Sequence, residues 1–198
     1  MKIRIFALIF LLFFAYYEVL KFLNKKEDSL SEDSIKNQLE LKSGDIIFRK
    51  ESNILSDMFS NIDKSAYSHI GIVLKKDEKI LIYHMEADDK NDDLKIQTIQ
   101  EFTKIAKKIA IYRSKDSFDE QKLIELLDNY EKNQIKFDYT FTLDNDTLYC
   151  TEFINDIYFK LINKNIYTYL FDFYGLSGIT IKSILENRDL EKRFEIDF

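Results

Sequence analysis

One cysteine and two histidines are the only residues of this 198-residue chain that could form a thiol–imidazole pair. Cys150 lies in "TLYCTEF", His69 in "SHIGIVL" and His84 in "IYHMEA". Thiol hydrolysis needs a sulfur whose thiolate is stabilised, a histidine to take its proton, and a polar group to orient that histidine. The N-terminus of a helix meets the first need through its unpaired N–H groups and its dipole. "TLYCTEFINDIYFKLINK" predicts such a helix, with Cys150, Phe153, Ile154, Ile157 and Leu161 on one stripe. Asp146 or Thr147 is the expected cap, which places Cys150 in the first turn. A cysteine on an apolar stripe is also often just a small buried hydrophobe, so the helix alone leaves its role open.

The candidate bases sit on two strands. His69 opens the apolar run "HIGIVL", and Gly71 on the same face would let another element come close. In "ILIYHMEA", Ile80, Ile82, His84 and Glu86 share one face, because side chains alternate with period two. Either Glu86 or His84 could therefore reach His69 from the next strand. The inert readings are a half-buried histidine satisfied by a carbonyl and a glutamate that ends its strand in solvent.

The elements that must position these groups follow from pattern. "DIIF" after a Lys-Ser-Gly turn, "SHIGIVLKK", "EKILIYHMEA" and "KKIAIYRSK" predict strands, with "KKDE" a hairpin turn. "LKIQTIQEFTKIA" begins as a strand and becomes a short helix. Helical spacing marks "SNILSDMFSNID" and "FDEQKLIELLDNYEKNQ", the second with Leu123, Leu126, Leu127 and Tyr130 on one face. "GITIKSILENRDLEKRF" predicts one more strand or turn and a short helix. Strands clustered mid-chain with helices around them give an α+β fold. The acidic "DDKNDD" lacks the glycine and glutamate of a calcium loop and is expected to be a solvated turn.

Composition narrows the function. Residues 1–23 carry +2 of the formal net charge of −6, which leaves −8 on the rest and argues against nucleic acid as the main partner. A single cysteine excludes an internal disulfide, and one Cys with two His falls short of the usual ligand set of a structural zinc site.

"MKIRIFALIFLLFFAYYEVLKFLNKK" has Lys2 and Arg4 before an apolar run from Ile5 to Tyr17, which predicts a signal or an uncleaved membrane anchor over 1–23. No small-residue cleavage site follows, which favours the anchor and a domain outside the cytoplasm, in the cell envelope. Residues 24–40 read as a polar linker, and 41–198 as the folded domain.

Together, "LKSGDIIF", "SHIGIVL", "IYHMEA", "FDYTF" and "LYCTEFI" resemble the permuted NlpC-type papain-fold hydrolases, the YiiX-like group. The histidine strand precedes the cysteine helix, which is the order of the permuted branch. The resemblance implies a papain-like domain with a small antiparallel β-barrel packed against the cysteine helix. It implies Cys150 as nucleophile, His69 as base and Glu86 as the third polar group, with His84 as the alternative third group. Gly44 and Asp45 match the opening of the first strand; Asp138, Tyr139, Tyr149 and Glu152 match supporting positions. The implied reaction is amide or ester hydrolysis through an acyl-enzyme, with the Cys150 N–H and Tyr139 at the oxyanion and no metal or cofactor. The expected substrate is a cell-wall peptide. Two rivals stand beside it. One is a lipid acyl hydrolase or acyltransferase of the same fold, with the aromatic stretch from Tyr167 to Tyr174 lining an acyl pocket. The other is a membrane-tethered binding protein without turnover.

Overall fold

A computed structural model describes residues 40–51, 60–61, 64–77, 79–87, 92–143, 145–173 and 176–198. The anchor and linker expected over residues 1–39 lie outside the described residues, as does the helix expected near 52–63 apart from Ser60 and Asn61. No helix among the described residues is long and apolar enough to cross a membrane.

Six strands form one antiparallel sheet: β1 (Ile46–Glu51), β2 (His69–Lys76), β3 (Lys79–Met85), β4 (Leu94–Thr98), β5 (Ala106–Ser114) and β8 (Leu190–Asp197), in the order β4-β3-β2-β1-β5-β8. The hairpin β6 (Phe171–Phe173) and β7 (Leu176–Gly178) stands apart. Helices lying in full among the described residues are α1 (Ile99–Thr103), α2 (Glu120–Lys132), α3 (Cys150–Ile162) and α4 (Ile181–Leu185).

Local chemistry sets their ends. Thr98 and Glu101 form a reciprocal capping box that starts α1 directly after β4. Asp119 caps α2 by accepting from the Gln121 N–H. Asn163 ends α3 in the left-handed conformation that asparagine tolerates.

Period two gives the sheet two buried faces. Ile46, Phe48, Ile70, Ile72, Leu74, Tyr83, Met85 and Ala110 point toward α2 and α3, where Leu123, Leu127, Phe153, Ile154, Ile157 and Tyr158 meet them. The alternate residues, including Ile47, Arg49, His69, Val73, Ile82 and His84, are buried on the opposite face, where Phe102 of α1 meets Arg49, His69 and His84.

The expected barrel is not closed. The sheet is open, with β4 and β8 at its edges. After five residues β4 turns into α1, and α1 rather than a further strand pairing covers the inner face. The expected acidic turn has Asp92 and Asp93 in ion pairs with Lys136; its residues 88–91 are outside the description.

The turn that opens β1 is tied to both layers. Gly44 adopts φ +85, and a Cβ there would lie 2.1 Å from Phe118 Cζ. Its carbonyl accepts from the Tyr158 hydroxyl of α3 at 2.6 Å. The buried Asp45 carboxylate takes both Arg113 Nε and Nη2, at 2.6 and 2.8 Å, and caps the Lys42 N–H. Asp45→Ala is therefore expected to destabilise the fold by about 3 kcal/mol, the lower end for breaking a buried pair because Arg113 keeps some solvent. Urea unfolding checks this; a loss under about 1 kcal/mol would show that the pair is dispensable.

Candidate active site

The two histidines are in direct contact. His69 Nε2 and His84 Nδ1 are 2.8 Å apart, with the rings edge-on at 4.9 Å between centroids. Gly71 makes this possible. It lies beside His84 across the β2–β3 pair, and a Cβ on it would fall 2.7 Å from Ile82 Cγ2 and 3.3 Å from His84 Cβ. The close approach that Gly71 permits is thus that of β3 itself.

The bond pattern fixes where the protons sit. His84 Nε2 faces the Gln97 Oε1 carbonyl at 3.1 Å, so it donates there. His84 Nδ1 is then an acceptor, and His69 Nε2 donates to it. The remaining nitrogen of His69, Nδ1, carries a lone pair and can act as a base.

Burial and a cation keep both rings neutral. His69 is held well below the usual histidine range by burial, then by the Arg49 guanidinium and His84. His84 is lowered to about 3 by burial and Arg49, with the Gln97 bond opposing. Arg49 is itself 1% exposed. It donates to the Phe102 carbonyl at 2.9 Å and to Glu51 and Glu86, each at 2.6 Å, and its guanidinium lies 4.4 Å over the Phe102 ring.

Glu86 therefore stands one step away from its expected place. Its Oε1 is engaged by Arg49, and its Oε2 lies 3.8 Å from His84 Nδ1. Among the described residues the partner of His69 is His84, and no hydrogen bond joins Glu86 to His69. Burial raises the Glu86 carboxyl, against the pull of Arg49.

Cys150 is the first residue of α3, but its surroundings differ from the expectation. The cap is Tyr149, whose hydroxyl lies at Ile179 N–H and makes no cap bond, while Thr147 turns its hydroxyl to Asn145. The leading N–H groups of α3 are thus left without a side-chain cap. Those of Cys150 and Thr151 reach the sulfur, as does the N–H of Ile70, the neighbour of His69 in β2. Burial outweighs these donors, and with the nearby Glu86 charge it pushes the thiol up to about 12. The resting sulfur is a thiol. The stripe of α3 covers the Ile70 face of the sheet while the histidines occupy the other, and the sulfur lies by the Ile70 N–H at the start of β2, one residue from His69.

The supporting positions sort themselves. Asp138 gathers the loop before α3, accepting from Thr140, Thr142 and Asn145. Tyr149 is buried, and its hydroxyl accepts from Ile179 N–H at 2.6 Å. Glu152 is buried on α3. Tyr139 is 62% exposed and packs edge-on against Phe137. Tyr167 packs on the core, while Tyr169 and Leu170 are exposed. Arg49, Gln97 and Phe102 were not anticipated. The available signal was Arg49, a charge on the inward alternation of "DIIFRK".

Donor atoms also converge in a way that suits a cation. One nitrogen each of His69 and His84 and a Glu86 carboxylate oxygen lie within 4.8 Å of one another.

Comparison with known proteins gives a consistent picture. The sequence profile of the family described as "Permuted papain-like amidase enzyme, YaeF/YiiX, C92 family" matches residues 40–172. The fold is similar to the crystal structure of metalloprotein yiiX from Escherichia coli O157:H7, with TM-score 0.69 and 16% identity over 81% of this chain and 100% of that one. No curated protein matches the chain.

A half-buried neutral thiol makes a kinetic prediction. Alkylation of Cys150 by iodoacetamide in the free protein should be slow at pH 7 and climb roughly tenfold per pH unit through pH 9, since only the thiolate reacts. A rate that is already on a plateau below pH 7 would instead show a preformed thiolate–imidazolium pair.

Proposed function

The chain belongs to the permuted papain-like amidase family, and from that premise we propose that Cys150 attacks an amide carbonyl with His69 Nδ1 as base and His84 as the group that orients it. The family makes the protein a cysteine peptidase- or amidase-like hydrolase acting on peptide. The observation that carries the finer reading is the His69–His84 hydrogen bond at 2.8 Å.

In the first step the thiol proton passes to His69 Nδ1 as the sulfur bonds to the carbonyl carbon. The imidazolium that forms keeps its Nε2–H on the His84 Nδ1 lone pair, and the Glu86 carboxylate beside that contact offsets the new charge. The oxyanion is met by the N–H groups at the uncapped start of α3. His69 then gives its proton to the leaving amine as the C–N bond breaks. Water, deprotonated by the same ring, releases the acid and restores the thiol.

The substrate we propose is an amide of cell-wall peptide, met outside the cytoplasm by a domain tethered through residues 1–23. The support for this is the basic start and the apolar run from Ile5 to Tyr17. Incubating the purified protein with muropeptides and, separately, with phospholipids tests it. Amide cleavage in muropeptides is expected; acyl release from phospholipid with muropeptides untouched would overturn the assignment.

Site variants test the roles. Cys150→Ala should lower kcat at least about a thousandfold with the fold retained. His84→Ala should cost about a hundredfold in kcat/KM, and Glu86→Gln about tenfold or less. The reverse order would return the orienting role to Glu86.

A further inference from the structure

We propose that His69, His84 and Glu86 form a binding site for one divalent transition-metal ion, Zn2+ by preference, and that the bound ion holds the hydrolase in an inactive state. The inactivation rests on the catalytic reading given above; the binding does not.

The case is geometric. His69 Nε2 and His84 Nδ1 lie 2.8 Å apart, and Glu86 Oε2 is 3.8 Å from His84 Nδ1. Ligands at about 2.0–2.2 Å from one tetrahedral zinc ion stand about 3.3–3.6 Å from each other, so the imidazole pair must open slightly and the carboxylate, within 4.8 Å of both, must close in. Two of the groups are gripped from behind. His84 is fixed through its other nitrogen by Gln97, and Glu86 through its other oxygen by Arg49. A partner on the far atom is the usual way that a protein aims a metal ligand. The side chain of Glu86 is 29% exposed, which gives an ion a way in, while both imidazoles are buried. Two imidazoles and one carboxylate suit zinc and its neighbours over magnesium or calcium, which prefer oxygen alone. Arg49 opposes positive charge on the imidazoles, and the two carboxylates that share it, Glu51 and Glu86, offset that charge around the site.

Binding and catalysis ask opposite things of one ring. As a base, His69 carries its proton on Nε2 and offers Nδ1. As a ligand it must give the Nε2 lone pair to the metal, so the proton moves to Nδ1. No proton is lost and nothing is oxidised; two N–Zn bonds and one O–Zn bond form, and the His69–His84 hydrogen bond breaks. The nitrogen needed to take the thiol proton is then already protonated. Release of the ion restores the base.

The test is calorimetric titration of the metal-stripped protein with Zn2+, paired with Co2+ titration followed by visible absorption. One ion per chain is expected in the native protein, with the same affinity in Cys150→Ala. Affinity should fall at least tenfold in both His84→Ala and Glu86→Gln, each checked for fold by circular dichroism. Zn2+ should also stop hydrolysis reversibly, with recovery on chelation. No stoichiometric binding, affinity unchanged in Glu86→Gln, or loss of binding in Cys150→Ala would each overturn the site. Binding that follows the expected pattern in a protein without hydrolase activity would sink the catalytic reading and leave the metal site standing.

Discussion

The hydrogen bond between His69 and His84 sets the terms for every residue around it. Two imidazoles 2.8 Å apart cannot both be cations, and each must present a complementary nitrogen to the other. Gly71 leaves room for the contact, Gln97 settles which nitrogen of His84 holds its proton, and Phe102 closes the apolar wall. Arg49 adds positive charge nearby, which makes a second proton costlier still. The result is one defined tautomer of His69 with an open Nδ1, reached with neutral groups where a carboxylate would ordinarily serve.

The same low-dielectric surroundings decide the state of the sulfur. Three backbone N–H groups and a helix N-terminus favour the thiolate, and the helix end contributes about 0.3–2 kcal/mol. Moving a thiol from 9 to about 12 reflects about 4 kcal/mol in the other direction, so burial wins. Under the mechanism proposed above, a thiol and an imidazole that are both uncharged at rest exchange the proton during attack, and the developing oxyanion is the charge that the uncapped N–H groups of α3 meet.

Much of this was legible in the sequence, and what was not has specific causes. The strands around His69 and His84 and the helix that begins at Cys150 follow from period two and period 3.6. Alternation also placed His84 and Glu86 on one face, but the choice between them depends on the β2–β3 register. That register pairs Ile72 with Tyr83 and brings His84 beside Gly71, while Glu86 falls past the end of β3. The cap falls two residues beyond Thr147 because Leu148 pairs with Phe137 outside the helix. The barrel stayed open because β4 stops at the Thr98 capping box. Alternation in "DIIFRK" marks Arg49 as inward, but two of its three partners, Glu86 and the Phe102 carbonyl, are 37 and 53 residues away and have no local signature.

Chain order is free to vary because the site occupies a place in the sheet that no single connection defines. The start of β2, the end of β3 and the start of α3 meet there, and each contributes through its terminus: His69 at the first position of β2, Glu86 just beyond β3, Cys150 at the first position of α3. Termini are where backbone donors lack partners and where side chains can pass from one face of a sheet to the other. The helix that carries Cys150 lies on one face of the sheet and the imidazoles on the opposite face, and it is at this end that the sulfur reaches the Ile70 N–H beside His69. The buried pair of Asp45 with Arg113 and the Tyr158 bond to the Gly44 carbonyl tie β5 and α3 to the turn before β1, so the element that carries Cys150 and the sheet that carries His69 share one anchor.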